Sequence, residues 1–215
     1  MIAAPAGLLL DVQRRLEGLY ALDTEAPVTE FLIPEEDAAH YPGGGSRTLV
    51  KEDGESLSVG VVLEEGLCES LARNDPRVCL NGDNLAPFCT LIEEVSHFLY
   101  VLFCARCERS ITQLELELQG EVDKYLTSVA FLSLQNEGAV SPRLRNLLFR
   151  HYHLAQGMSA ERAERYRTAS GLAERYCAHL EARFLRRARL SDLTREARRF
   201  YRLGQRQKLE AIAGF

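Results

Sequence analysis

The fourteen residues Leu91-Ile-Glu-Glu-Val-Ser-His-Phe-Leu-Tyr-Val-Leu-Phe-Cys104 constrain this chain more than any other segment. On a helical wheel Leu91, Val95, Phe98, Leu99 and Leu102 share one face, and Tyr100, Val101 and Cys104 carry apolar character around the others. A helix that is apolar on most sides has to be enclosed, so further helices must surround it. The pattern that follows supplies them. Asp83 or Asn84 caps the enclosed helix, Pro87 is tolerated in its first turn, and the helix runs to about Cys107. Ser110 and Gln113 form a capping-box pattern for a second helix ending near Leu132. Ser141-Pro142 opens a third. Ser159 caps a fourth, to about Arg187, with Tyr166, Ala169, Ala173, Tyr176, Leu180 and Phe184 along one face. Ser191 caps a fifth through Tyr201, and Gly204 separates it from a last turn near Ala213.

Ahead of this helical region, Leu8, Val12, Leu16, Leu19 and Tyr20 predict an amphipathic helix over residues 7–20. Val28 to Ile33, between Pro27 and Pro34, reads as a short strand. Arg47 to Lys51 and Ser56 to Leu63 read as a hairpin around Asp53-Gly54, a pair suited to the positive φ of a tight turn. Gly43-Gly44-Gly45 is a flexible loop. A phosphate loop requires a helix and a Lys-Ser/Thr pair after the glycines, whereas Arg47 continues as a strand. A short helix spans about Gly66 to Ala72. The expected fold is α+β and mostly α: a bundle of about five or six helices with a small three-stranded antiparallel sheet near the N-terminus.

At 215 residues the chain is expected to form a single domain, 1–215, with a β portion over 28–63 and a helical portion over 84–213. Its 46% hydrophobic and 27% charged content exclude a disordered chain. Leu8-Leu9-Leu10 is too short, and too closely followed by Asp11, Arg14 and Arg15, for a signal peptide or membrane span. The expectation is therefore a cytoplasmic protein with no membrane partner, whose six cysteines are free thiols packed in apolar stretches. Arginine replaces lysine almost everywhere, as in a GC-rich bacterial genome, since Lys51, Lys124 and Lys208 are the only lysines.

Glu94 and His97 stand three apart on the enclosed helix, where a carboxylate and an imidazole need pairing, hydrogen bonds or coordination. Glu117 and Glu121 lie one turn apart on the next helix, on the face of Leu114, Leu118 and Tyr125. A Glu-x-x-His facing glutamates is the ligand pattern of di-metal carboxylate bundles, but that pattern requires a second Glu-x-x-His, and the sequence contains none. The metal reading thus takes Glu94, His97, Glu117 and Glu121 as ligands of a divalent transition metal. The competing structural reading places Glu94 and His97 in a buried network with an arginine, Lys124 or a tyrosine hydroxyl. Cys104-Ala-Arg-Cys107 has redox or zinc half-site spacing, yet it ends a helix instead of starting one and has no second pair, so core packing is favoured. His151 and His153 point in different directions on a helix. No nucleophile elbow or metallopeptidase pattern occurs.

Ten basic and four acidic residues lie from Glu181 to Phe215, a local charge of +6. With −5 overall, the first 180 residues carry −11. Arg195, Arg198, Arg199, Arg202, Arg206 and Lys208 form the candidate partner-binding set, on or near one helical face. Internal pairing with the acidic body is the alternative. The leading expectation is a non-enzymatic protein-protein interaction or regulatory scaffold that binds another protein through this end. A metal-dependent enzyme is the rival. Nucleic-acid binding through the same helices is the third reading, disfavoured by the acidic net charge.

Overall fold

The computed structural model describes residues 5–41, 43–54, 56–150 and 159–215, which leaves His151 and His153 outside the described residues. The chain divides into two compact units. One runs to Gly18 and resumes over Leu22–Arg109; the other combines Leu19–Ala21 with Ser110–Phe215. The division does not follow the strand-bearing and helical portions read from the sequence, because the enclosed helix goes with the hairpin.

In the first unit, α1 (Ala6–Tyr20) buries Leu8, Val12 and Leu16 at successive i, i+4 positions. Gln13 fixes the chain that follows, donating Nε2 to Thr24 Oγ1 at 3.1 Å and Ala26 O at 2.9 Å and accepting the Val28 N–H at 2.7 Å. Strands β1 (Arg47–Asp53) and β2 (Ser56–Val62) pair antiparallel from Arg47↔Val62 to Asp53↔Ser56. Gly54, at φ +62°, makes the tight turn.

The expected third strand is absent among the described residues, so the sheet has two strands instead of three. Val28–Phe31 is a 3₁₀ turn in which the Glu30 N–H bonds Pro27 O at 3.0 Å. Only a Leu32↔Val61 bridge and the Ile33 N–H to Val61 O bond, 2.9 Å, reach β2. The 3₁₀ turn takes up four of the six residues between Pro27 and Pro34, and Pro34 has no N–H to extend a ladder, so Leu32 and Ile33 alone remain to meet β2.

Helix α2 (Glu65–Arg73) and helix α3 (Leu85–Arg106) complete this unit, α3 packing on α2, β1 and β2. Phe31 and Phe98 rings meet at 4.9 Å. Among the described residues α3 is the one helix long and apolar enough to cross a membrane, but 67% of its most apolar window is buried in the fold, as in a core helix.

The second unit contains α4 (Gln113–Gln135), α5 (Leu144–Arg150), α6 (Ala160–Arg183), α7 (Leu190–Arg202) and α8 (Gln205–Ala213). Eight α-helices are thus present among the described residues, against the bundle of five or six expected; the short helix, the helix after Ser141-Pro142 and the last turn read from the sequence correspond to α2, α5 and α8. The cap of α4 is Thr112, which accepts the Glu115 N–H at 3.1 Å, two residues after the expected Ser110. Ser159 caps α6 as expected, at 3.2 Å from the Arg162 N–H. That helix stops at Arg183 because a 3₁₀ turn over Leu185–Arg187 and a left-handed Ala188, φ 51°, intervene. Arg189 stands at the α7 N-cap, so Ser191 lies within that helix. Helix α6 packs on α4, α5 and α8, and stacked rings add Tyr20 to Tyr201 at 4.0 Å and Tyr176 to Phe200 at 3.8 Å.

Candidate functional site

Glu94 is 5% and His97 8% exposed, both on α3 as the sequence predicted. Strand β1 positions the carboxylate: the Thr48 hydroxyl lies 2.8 Å from Glu94 Oε2 and 3.2 Å from Glu94 O. His97 Nδ1 is 4.0 Å from Glu94 Oε2, too long for a hydrogen bond. Glu93, half-buried and missed in the sequence reading, offers a carboxylate oxygen within 4.8 Å of a His97 ring nitrogen. The signal was available, since Glu93 and His97 are four apart and so share a face of the helix. Helix α3 therefore gathers two carboxylates and one imidazole within a single turn.

Glu117 and Glu121 lie on α4 in the other unit. Both are buried, and Glu121 Oε1 already faces a cation, Lys124 Nζ at 2.6 Å. The same ammonium lies 3.5 Å from Tyr166 OH and 5.4 Å over its ring. Lys124 thus joins a buried network on α4 with Glu121 as its partner.

A second polar cluster in this unit was not foreseen. Lys208 is fully buried, with Nζ 2.6 Å from Gln119 Oε1 and 4.9 Å from the Phe200 ring centre. The Gln119 amide donates to Tyr20 OH at 3.2 Å and Asp123 Oδ1 at 3.0 Å, and the Tyr20 hydroxyl donates to the same Asp123 oxygen. Burial, then the Asp123 charge, holds the Tyr20 phenol far above its ordinary pKa, so it stays a donor. The cluster joins α8, α4 and the end of α1. No helical period marks it, because Gln119 and Lys208 are 89 residues apart.

The arginines of the C-terminal helices make short-range bonds. Arg198 and Arg202 donate to Leu19 O at 2.8 Å and Tyr20 O at 2.9 Å, placing cations on the carbonyl end of α1. Arg195 pairs with Asp192 at 3.0 Å, Arg199 with Glu196 at 2.7 Å and Arg206 with Glu210 at 2.8 Å. Lys208, grouped with them from sequence, lies in the core instead. Glu181 is the focus of another charge cluster. Burial acts to raise its pKa, but bonds from Arg186, Arg145 and Tyr125 outweigh it and hold the carboxyl below the usual range.

All six cysteines are free thiols, as expected: Cys68, Cys104 and Cys177 are buried, Cys89 is half-buried, and Cys79 and Cys107 are exposed. Compared with known protein families, curated proteins and solved structures, the chain matches none of them.

Proposed function

We propose that Glu93 and His97 on α3 bind a divalent transition metal and that the chain acts as a metal-dependent enzyme. The observation that carries this reading is the Glu93 carboxylate within 4.8 Å of the His97 imidazole, one helical turn apart on a mostly buried helix. Ligand bonds of about 2.0 to 2.2 Å need the two donors to close slightly, which a side-chain rotation on a fixed helix achieves. An imidazole with carboxylates suits zinc, iron, manganese or nickel. Such a metal, when bound, supplies Lewis acidity to water or a substrate oxygen. The chain's own contribution is orientation, since Thr48 holds Glu94 Oε2 in place beside His97.

Elemental analysis of protein purified without an affinity tag tests this, comparing wild type with His97→Ala and Glu93→Gln after incubation with zinc, manganese and ferrous ions. One metal per chain, lost in both variants, is the expected result. Metal-free wild type under all three conditions would overturn the proposal.

A second reading is favoured by the exposed side of α7. Leu190 is 61% exposed among Arg186, Arg187, Arg189 and Arg195. An exposed apolar residue beside arginines that pair with Glu181 and Asp192 suits an acidic protein partner able to compete for those guanidinium groups. The engagement of Arg198 and Arg202 with α1 carbonyls leaves less of the basic end for it. Capture of one partner by wild type, lost on Leu190→Ser with Arg195→Ala, supports this reading. Capture of nucleic acid, weakening steeply with salt, would replace the protein partner.

A further inference from the structure

We propose that Cys104 and Cys107 form a peroxide-oxidised dithiol, a redox modification site at the end of α3 that is independent of the metal reading. Cys104 lies in the last turns of α3 and Cys107 is its C-cap, three residues on. On a helix of about 1.5 Å rise per residue and about 2.3 Å radius, Cα atoms three residues apart are about 5 Å from each other. That spacing falls within the Cα separation of about 4.4–6.8 Å that a disulfide spans, so the bond needs only local side-chain rotation.

The two thiols differ in the way an oxidisable pair requires. Cys107 is exposed and meets the oxidant directly; Cys104 is buried beside it. Arg109 Nη2 donates to Cys104 Sγ at 2.9 Å and to Tyr100 OH at 2.9 Å, so a cation held by the Tyr100 hydroxyl faces the sulfur. A guanidinium at that distance stabilises the negative charge that the sulfur carries as it attacks. The remaining buried cysteines are set up differently. Burial, followed by the charges of Glu35 and Glu65, pushes the Cys68 thiol up, and burial with Glu121 and Asp123 does the same to Cys177. The chain turns sharply after the pair. Glu108 is left-handed at φ 49°, and the Arg109 N–H returns to Cys104 O at 2.9 Å, bringing the guanidinium back over the sulfur.

The chemistry is a two-step oxidation by hydrogen peroxide. Cys107 sulfur attacks one peroxide oxygen, the O–O bond breaks, and a sulfenic acid forms with release of water. Cys104 sulfur then attacks the sulfenic sulfur. The S–S bond forms, the S–O bond breaks, and the hydroxyl leaves as a second water with the thiol proton. The pair loses two electrons and two protons, and peroxide is reduced to water. A thiol reductant reverses the product.

The experiment treats the full-length chain with increasing hydrogen peroxide, alkylates the remaining thiols and maps peptides by mass spectrometry. Cys79, equally exposed but without a partner at helical spacing, is the internal reference. The expected result is a Cys104–Cys107 disulfide, restored to thiols by reductant, while Cys79 proceeds to the sulfinic acid. With Cys104→Ser, Cys107 proceeds to the sulfinic acid instead. Arg109→Gln slows closure by about tenfold, the loss of one charge-assisted hydrogen bond, and Arg109→Lys restores most of the rate. Circular dichroism on each variant separates slow chemistry from misfolding. Cys79 and Cys107 oxidising in parallel with no bond to Cys104, or Cys104→Ser leaving the fate of Cys107 unchanged, would overturn the proposal.

Discussion

Replacing Lys208 by methionine removes its ammonium but keeps most of the aliphatic stem, in a core where Lys208 is fully buried. Gln119 Oε1, 2.6 Å from Nζ, then loses that donor. The amide cannot flip to compensate, because its nitrogen is committed to Tyr20 OH and Asp123 Oδ1. Leaving a buried acceptor unsatisfied costs about 1–3 kcal/mol, partly offset by relief of burying the ammonium. Lys208→Ala also deletes three methylenes, at about 0.8 kcal/mol each, so alanine costs about 2–3 kcal/mol more than methionine. The chain has no tryptophan, so urea unfolding is followed by far-ultraviolet circular dichroism and by the near-ultraviolet signal of the stacked Tyr20 and Tyr201. The expected order is wild type, then methionine, then alanine. Methionine equal to or more stable than wild type would refute the view that the Lys208–Gln119 bond organises this cluster.

Gly60 has Ile33 packed on it: an added Cβ would collide with Ile33 Cδ1 and stand 3.0 Å from its Cγ1. Gly60→Ala should cost about 1–3 kcal/mol by overpacking, and Ile33→Val, which removes Cδ1, should recover part of the loss; equal urea midpoints for wild type and Gly60→Ala would contradict this. Glu181 should make the fold acid-sensitive, because its folded pKa lies below the ordinary value. The stability it contributes is complete above the unfolded glutamate pKa of about 4.3 and is lost as pH falls through the folded value. Glu181→Gln should flatten the fall of the thermal midpoint below that pH, and an unchanged acid limb would refute the linkage.

Helices with strong local signals were legible in the sequence. The spacing of Leu8, Val12 and Leu16 gave α1, Ser159 gave the start of α6, and the apolar run around Phe98 gave a buried α3. The third strand failed because Val28 to Ile33 has strand composition, while Pro27 and Pro34 leave room for only one bridge to Val61. Thr112 was displaced in the reading by the similar Ser110 pattern two residues earlier, an ambiguity only the backbone bond to Glu115 resolves. Glu94 and His97 were found because charges on an apolar helix stand out. Glu93 was passed over beside a second glutamate, although its four-residue spacing to His97 is the closer helical neighbourhood. Thr48 on Glu94 and Lys208 on Gln119 have no sequence signal, since each joins residues far apart in the chain.

The metal reading of α3 is tested most directly by X-ray absorption at the edge of whichever metal the chain retains. A metal held there has nitrogen and oxygen ligands at about 2.0 to 2.2 Å and the multiple-scattering signature of one imidazole, absent in His97→Ala. A bound metal whose spectrum shows no imidazole, or one unchanged by His97→Ala, would contradict it.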